Sequence, residues 1–97
     1  MSEKLVFIVM DSSAEPDIMA ALAELELPHF TRWEDVVGSG ETGRKEGTAV
    51  FPGLNTVIVI VMPETTVAPL VERLHAVRDA FIVRPGMKII VTDCVMY

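Results

Sequence analysis

The stretch Gly38–Gly53, GSGETGRKEGTAVFPG, decides how the rest of the chain is read. It holds five of the six glycines of a 97-residue sequence. Glycine has no Cβ, so such a backbone adopts positive φ at several points and comes close to a ligand or to another chain. A segment this rich in glycine, between two apolar runs, belongs to a long loop, and long loops in small domains are commonly functional. Gly38, Gly40 and Gly43 spell G-x-G-x-x-G. The dinucleotide reading of that motif requires a helix directly after the third glycine, so that its amides meet a pyrophosphate. Here Arg44, Lys45, Glu46 and Gly47 lead into a β-like run, Thr48–Phe51, so a Rossmann site is rejected. Two readings remain: a mobile hairpin loop, or a glycine nest that holds an anion with Arg44 and Lys45.

On each side of the loop the pattern is strand, helix, strand. Leu5–Met10, LVFIVM, and Thr56–Met62, TVIVIVM, are short apolar runs rich in β-branched residues, which marks strands. The first is followed by a helix with Pro16 in its first turn, Ser12, Ser13 or Glu15 as candidate caps, and an apolar face of Ile18, Leu22 and Leu25. Pro28 is expected to stop it. His29–Val37 reads as the second strand. Pro63 closes the third strand. Thr65 or Thr66 is expected to cap the second helix, with Pro69 in or just past its first turn. The stripe Val67, Leu70, Val71, Leu74 and Val77 supplies that helix with its buried face, and its end is expected between Val77 and Phe81. Val83–Gly86 is a turn, and Met87–Val91 begins the last strand, which runs on toward Tyr97.

Two βαβ halves with right-handed crossovers give a single ferredoxin-like α+β domain over residues 1–97: a four-stranded antiparallel sheet with both helices on one face. Two helices cover only one face. Val57, Val59 and Val61 alternate with Ile58 and Ile60, so apolar side chains point both ways. The second face therefore needs a cover, and another copy of the chain is the candidate.

The sequence resembles the PII signalling-protein superfamily, and the likeness spans nearly the whole chain. It is carried by EKLVFIVMDSSAEPDIMAALAELELPHFTRWEDVVGSG, by VIVIVMPETTVAPLVERLHAV and by RPGMKIIVTD. The resemblance implies a homotrimer with three sheets facing inward and an adenine nucleotide (ATP, ADP or AMP) bound in clefts between subunits. It places Gly38 and Gly40 against the ligand by backbone, and Arg84, Gly86 and Lys88 near phosphates or another anion. Gly43, Arg44, Lys45 and Gly47 would belong to a long effector loop that engages a protein target. Departures are visible. The loop is shorter than in nitrogen-regulatory members and has no tyrosine for uridylylation. Glu41 and Glu46 flank its basic pair, and the Arg84–Lys88 turn has fewer glycines and lysines. The expectation is a PII-like relative rather than a nitrogen regulator proper.

Composition and residue inventory bound the other functions. A net charge of −6 argues against nucleic acid. No apolar run reaches the roughly 18 residues of a membrane span, and no signal peptide precedes the first strand, so the expectation is a cytoplasmic protein. Cys94 has no partner for an internal disulfide and is expected to be a buried, inert thiol. An alternative is a metal-responsive trimer of the CutA type. His29, His75 and Cys94 are its only soft ligands and none has a neighbour at metal spacing. His75, beside the apolar stripe, reads more simply as a partly buried structural histidine. An enzyme is not expected: Ser12, Ser13 and Ser39 lack an evident base, and nothing marks Asp11, Glu34 or Asp35 as an acid–base group. A structural trimer without ligand completes the set. Trp33 reads as core or subunit-interface packing, with base stacking as the sharper option.

Overall fold

The computed structural model describes residues 2–40, 43–45 and 54–97. Its elements are β1 (Glu3–Asp11), a 3-10 turn (Ser12–Ala14), α1 (Glu15–Glu24), β2 (Thr31–Val36), β3 (Gly38–Gly40), β4 (Gly43–Lys45), β5 (Asn55–Pro63), α2 (Glu64–Asp79) and β6 (Met87–Cys94). The main sheet has the order β2-β5-β1-β6, and every neighbouring pair in it is antiparallel. This is the ferredoxin-like α+β arrangement expected from the two βαβ halves.

The two most apolar runs form the two central strands. Only there is a strand flanked on both edges by others, so uninterrupted apolar sequence goes to the centre. Val6, Ile8 and Met10 of β1, with Ile58, Ile60 and Met62 of β5, are buried beneath Ile18 and Leu22 of α1 and Leu70, Leu74 and Val77 of α2. Fully burying each such side chain stabilises the fold by about 1.5–3 kcal/mol. The expected stripe on α2 holds, with Val67 and Val71 half-buried at its margin.

Several boundaries differ from the sequence expectation for local reasons. None of Ser12, Ser13 and Glu15 caps α1. Asp11 accepts a hydrogen bond from the Ser13 amide and opens the 3-10 turn instead, and α1 starts beyond it without a side-chain cap. Glu15 and Asp17 place negative charge in its first turn, which the helix dipole favours. The helix ends at Glu24, before Pro28 can act. Glu26 adopts φ of 56°, and the Leu27 and Glu26 amides donate to Leu22 and Ala23 carbonyls, a Schellman closure built on glutamate rather than glycine. α2 follows β5 without a turn, so neither Thr65 nor Thr66 caps it and Pro63 occupies the cap position. The helix starts at Glu64, and Pro69 lies inside it just past the first turn, as expected. β2 is shorter than expected, and its ladder with β5 is interrupted between Trp33 and Val36, where Asp35 has φ of 57°.

Beyond Val37 the chain forms a small separate ladder in which β3 and β4 pair Gly38 with Lys45, Ser39 with Arg44 and Gly40 with Gly43. The hairpin reading of this part of the loop therefore holds. The expected ladder start at Thr48–Phe51 lies outside the described residues.

Candidate functional site

The register collects the candidate residues at one end of the sheet. Asp11 is opposite Asn55, Met10 is opposite Met87, and Val36 is opposite Asn55, so β1 and β2 end where β5 and β6 begin. Successive amides of the chain leaving β1 tie the two flanking segments together. Asp11 N–H donates to the Gly86 carbonyl at 2.8 Å and Ser12 N–H to the Leu54 carbonyl at 2.9 Å. The turn before β6 and the returning stem of the glycine loop are thus held to the same short segment.

Within one chain the candidates fall into two groups. Gly38 and Gly40 stand just past β2, and Arg84, Gly86 and Lys88 stand at the start of β6. These are opposite edges of the sheet, separated by β5 and β1. At roughly 4.8 Å per strand, β2 and β6 are about 14 Å apart. Arg84, Gly86 and Lys88 lie within one short segment, and Gly38 and Gly40 within β3, with β5 and β1 between the strands that these segments adjoin. Gly43, Arg44 and Lys45 form β4, and Gly47 lies outside the described residues.

Arg84 is exposed and its Nε lies 3.2 Å from Asp79 Oδ1, an oxygen that also takes Arg78 Nε at 3.1 Å. Lys88 is exposed and shares a register row with Val9, Val57 and Trp33, on the sheet face away from the helices. No described element covers that face. Leu5, Phe7, Val9, Val57, Val59 and Val61 line its centre and are half-buried. Trp33, 51% exposed, and Ile90, 51% exposed, sit at its two edges. Trp33 is therefore not part of this chain's own core.

A polar chain that the sequence reading missed runs beside this end. Thr56 is fully buried; its hydroxyl donates to Glu15 Oε1 at 2.7 Å and lies 3.0 Å from Ser12 Oγ. The second oxygen of Glu15 is 3.5 Å from Arg32 Nη1, and Arg32 Nη2 is 3.0 Å from Glu34 Oε1. Thr56 is the one polar residue in TVIVIVM. A buried hydroxyl requires partners, and that requirement was the signal available in the sequence.

The soft ligands are dispersed: His29 precedes β2, His75 is on α2 and Cys94 ends β6. His75 is exposed rather than partly buried, and Cys94 is half-buried rather than core. Among the described residues no group of three or more His, Cys, Asp or Glu side chains is placed to hold a metal ion. No described helix is long and apolar enough to cross a membrane.

The sequence model of the family described as Nitrogen regulatory protein P-II matches residues 3–94. The chain belongs to that family. Solved structures share the fold at low identity, as expected of a divergent PII-like member. CPII, a nitrogen regulatory PII-like protein from Thiomonas intermedia K12 bound to ADP, AMP and bicarbonate, is 20% identical with a TM-score of 0.78, over 97% of this chain and 87% of its own. A DUF3240 family protein from Shewanella baltica OS155 is 18% identical with a TM-score of 0.75, over 100% of this chain and 94% of its own. A putative PII-like signalling protein from Thermus thermophilus is 20% identical with a TM-score of 0.67, over 97% and 91%. No curated protein matches the chain in sequence.

Proposed function

We propose that this PII-like protein is a trimeric regulatory protein, not an enzyme, that binds a small anionic ligand in clefts between subunits and signals through the 38–53 loop to a protein target. The observation that carries this reading is the separation of the two candidate groups. A glycine pair on one edge and a basic turn on the other become one site only when the β2 edge of one copy lies beside the β6 edge of the next. Such a head-to-tail contact gives a ring when its rotation closes, after three copies in a trimer. The open sheet face supplies the apolar surface that a ring would bury. The ADP and AMP bound by CPII from Thiomonas intermedia K12 make an adenine nucleotide the first ligand to test, with bicarbonate second.

In this reading the backbone of Gly38 and Gly40 approaches the ligand, while Arg84 and Lys88 of the neighbouring copy neutralise its anion beside Gly86. Gly43, Arg44, Lys45 and Gly47 belong to the effector loop, which the ligand orders. The metal-binding alternative has no supporting cluster among the described residues.

The test is a thermal-unfolding panel with ATP, ADP, AMP, bicarbonate and divalent metals, run on the wild type and on the double variant Arg84→Ala/Lys88→Ala. A ligand at 100 times its Kd stabilises by about 2.7 kcal/mol, which raises Tm by roughly ten degrees in a domain of this size. The expected result is a clear rise with an adenine nucleotide that the double variant lacks. An unchanged rise in the double variant removes the site assignment. A flat panel removes the nucleotide.

A further inference from the structure

Two residues stand out on the open sheet face, and they share a row. In its three central rows Lys88 is the one charged side chain and Trp33 the one indole; the rest is aliphatic apart from Phe7, Thr31 and Thr92. Their row runs Trp33–Val57–Val9–Lys88, so they stand at one height on opposite edges of the sheet, β2 and β6. Both are exposed. Within one chain β5 and β1 keep them apart.

Ring closure brings them together. The β2 edge of one copy lies along the β6 edge of the next only when the ring axis runs along the strands. Rotation about such an axis preserves each residue's height and each strand's direction. β2 and β6 run in opposite directions, because every neighbouring pair in the sheet is antiparallel. They therefore meet as antiparallel neighbours, with Trp33 level with Lys88 and Thr31 level with Ile90.

The main chain is in phase with this junction. The Asp11 amide donates to the Gly86 carbonyl, and that pair continues the β1–β6 register. Main-chain groups alternate in direction along a strand, so Lys88 turns its own toward β1 and Ile89 turns its own outward. The same alternation carried across β1 and β5 turns those of Trp33 toward β5 and those of Arg32 outward. At equal height Ile89 is opposite Arg32, so outward-pointing donors and acceptors face each other. The side chains match as well. An ammonium on an apolar face needs a partner, these rows hold no carboxylate, and an indole face attracts a cation within about 6 Å.

We propose that each junction of the ring is closed by Trp33 of one copy packing its indole face against the Lys88 ammonium of the next. This rests on the trimeric part of the function proposed above and is independent of its ligand. The indole takes up one side of an ammonium that carries three donors, so the contact is compatible with an anion at Lys88.

Cysteine pairs in a Cys94→Ser background test the register. Directly opposite residues in a non-hydrogen-bonded pair are about 4.5 Å apart between Cα atoms, within disulfide range. On oxidation Trp33→Cys/Lys88→Cys and Thr31→Cys/Ile90→Cys should each run at three chain masses without reductant, whereas Trp33→Cys/Ile90→Cys, one row out of step, should not. The second pair leaves Trp33 and Lys88 intact. Sedimentation on dilution tests the contact itself. A loss of about fivefold per junction compounds over three junctions to about a hundredfold in the trimer constant, or about tenfold in the concentration at half-dissociation. Lys88→Met should show that rise in the wild-type background and lose it in Trp33→Leu. An equal effect in both backgrounds, or none in the wild type, overturns the contact. A trimeric wild type in which neither level pair links overturns the register and leaves the trimer standing. A wild type that sediments at one chain mass overturns both.

Discussion

Glu26 carries a local cost that nothing around it requires. A non-glycine residue in the left-handed region crowds its Cβ against the backbone, and the closing position of a helix is where glycine relieves this. The Leu27-to-Leu22 and Glu26-to-Ala23 bonds hold Glu26 at φ of 56° because they satisfy the last carbonyls of α1. Glu26→Gly keeps those bonds and removes the clash. It should stabilise the protein by about 1 kcal/mol, read as a higher urea midpoint at unchanged slope. An unchanged or lower midpoint would mean that the glutamate side chain contributes something its exposed position does not suggest. The same residue explains why Pro28 misled the sequence reading. A proline is visible as a helix stop, whereas a left-handed glutamate looks like any other surface acid.

At the scale of elements, the end of the sheet away from the glycine loop is fastened electrostatically. Lys4 of β1 sits opposite Asp93 of β6, hydrogen-bonds to it, and lies 3.9 Å from Glu64 at the start of α2. The hydrogen bond from Lys4 holds the Asp93 carboxyl below its ordinary value, and the same bond raises the Lys4 ammonium above its own. The signs fix the window. Asp93, depressed in the folded state, contributes stability above its unfolded pKa and loses it as pH falls through the folded one. Lys4, raised in the folded state, contributes fully below its unfolded pKa and loses it as pH rises through the folded one. The pair is exposed, so its contribution is small and is screened by salt. Lys4→Met should flatten both limbs of the stability-against-pH curve at low ionic strength. A variant whose acid and alkaline limbs match the wild type would assign that dependence to other groups. Of the elements themselves, β1, β5 and the stripe of α2 were legible because unbroken apolar runs rich in β-branched residues and a 3–4 spacing have few alternative folds. The start of α2 was not, since threonines two and three residues past a proline look like caps, yet the chain passes from strand to helix at Pro63 with no turn to cap. The glycine pair and the basic turn were legible as composition. Their separation onto opposite edges was not, because it follows from strand order, and the Thr56–Glu15–Arg32 chain depends on contacts between elements far apart in sequence.

For the whole molecule, the sheet face away from the helices is the feature that a single chain leaves unexplained. Its three central rows run Trp33–Val57–Val9–Lys88, then Thr31–Val59–Phe7–Ile90, then Val61–Leu5–Thr92. The chain has 14 acidic residues, yet none of them falls in these rows. A solvated sheet face alternates with charge, and this one does not, so its composition is that of a surface meant to be covered. Lys88, the single charge, stands at an edge, where a side chain can reach past a packed neighbour toward solvent or a ligand. If the cover is two further copies around a three-fold axis, the centre of the face is where a buried charge costs most. Val59 is that centre, flanked by Phe7 and Thr31. Val59→Lys should leave the helix-side core untouched, because Ile58 and Ile60 alone of the neighbouring positions face the helices. An unpaired ammonium at a dry interface costs several kcal/mol per copy, enough to dissociate a ring of ordinary interfaces. Sedimentation should therefore find the wild type at three times the chain mass and Val59→Lys at one, with far-ultraviolet circular dichroism preserved. A wild type that sediments at the mass of one chain would leave the apolar face to a different partner, and the inter-subunit cleft would be lost with it. A Val59→Lys protein that remains trimeric would place the contact between copies elsewhere on the surface.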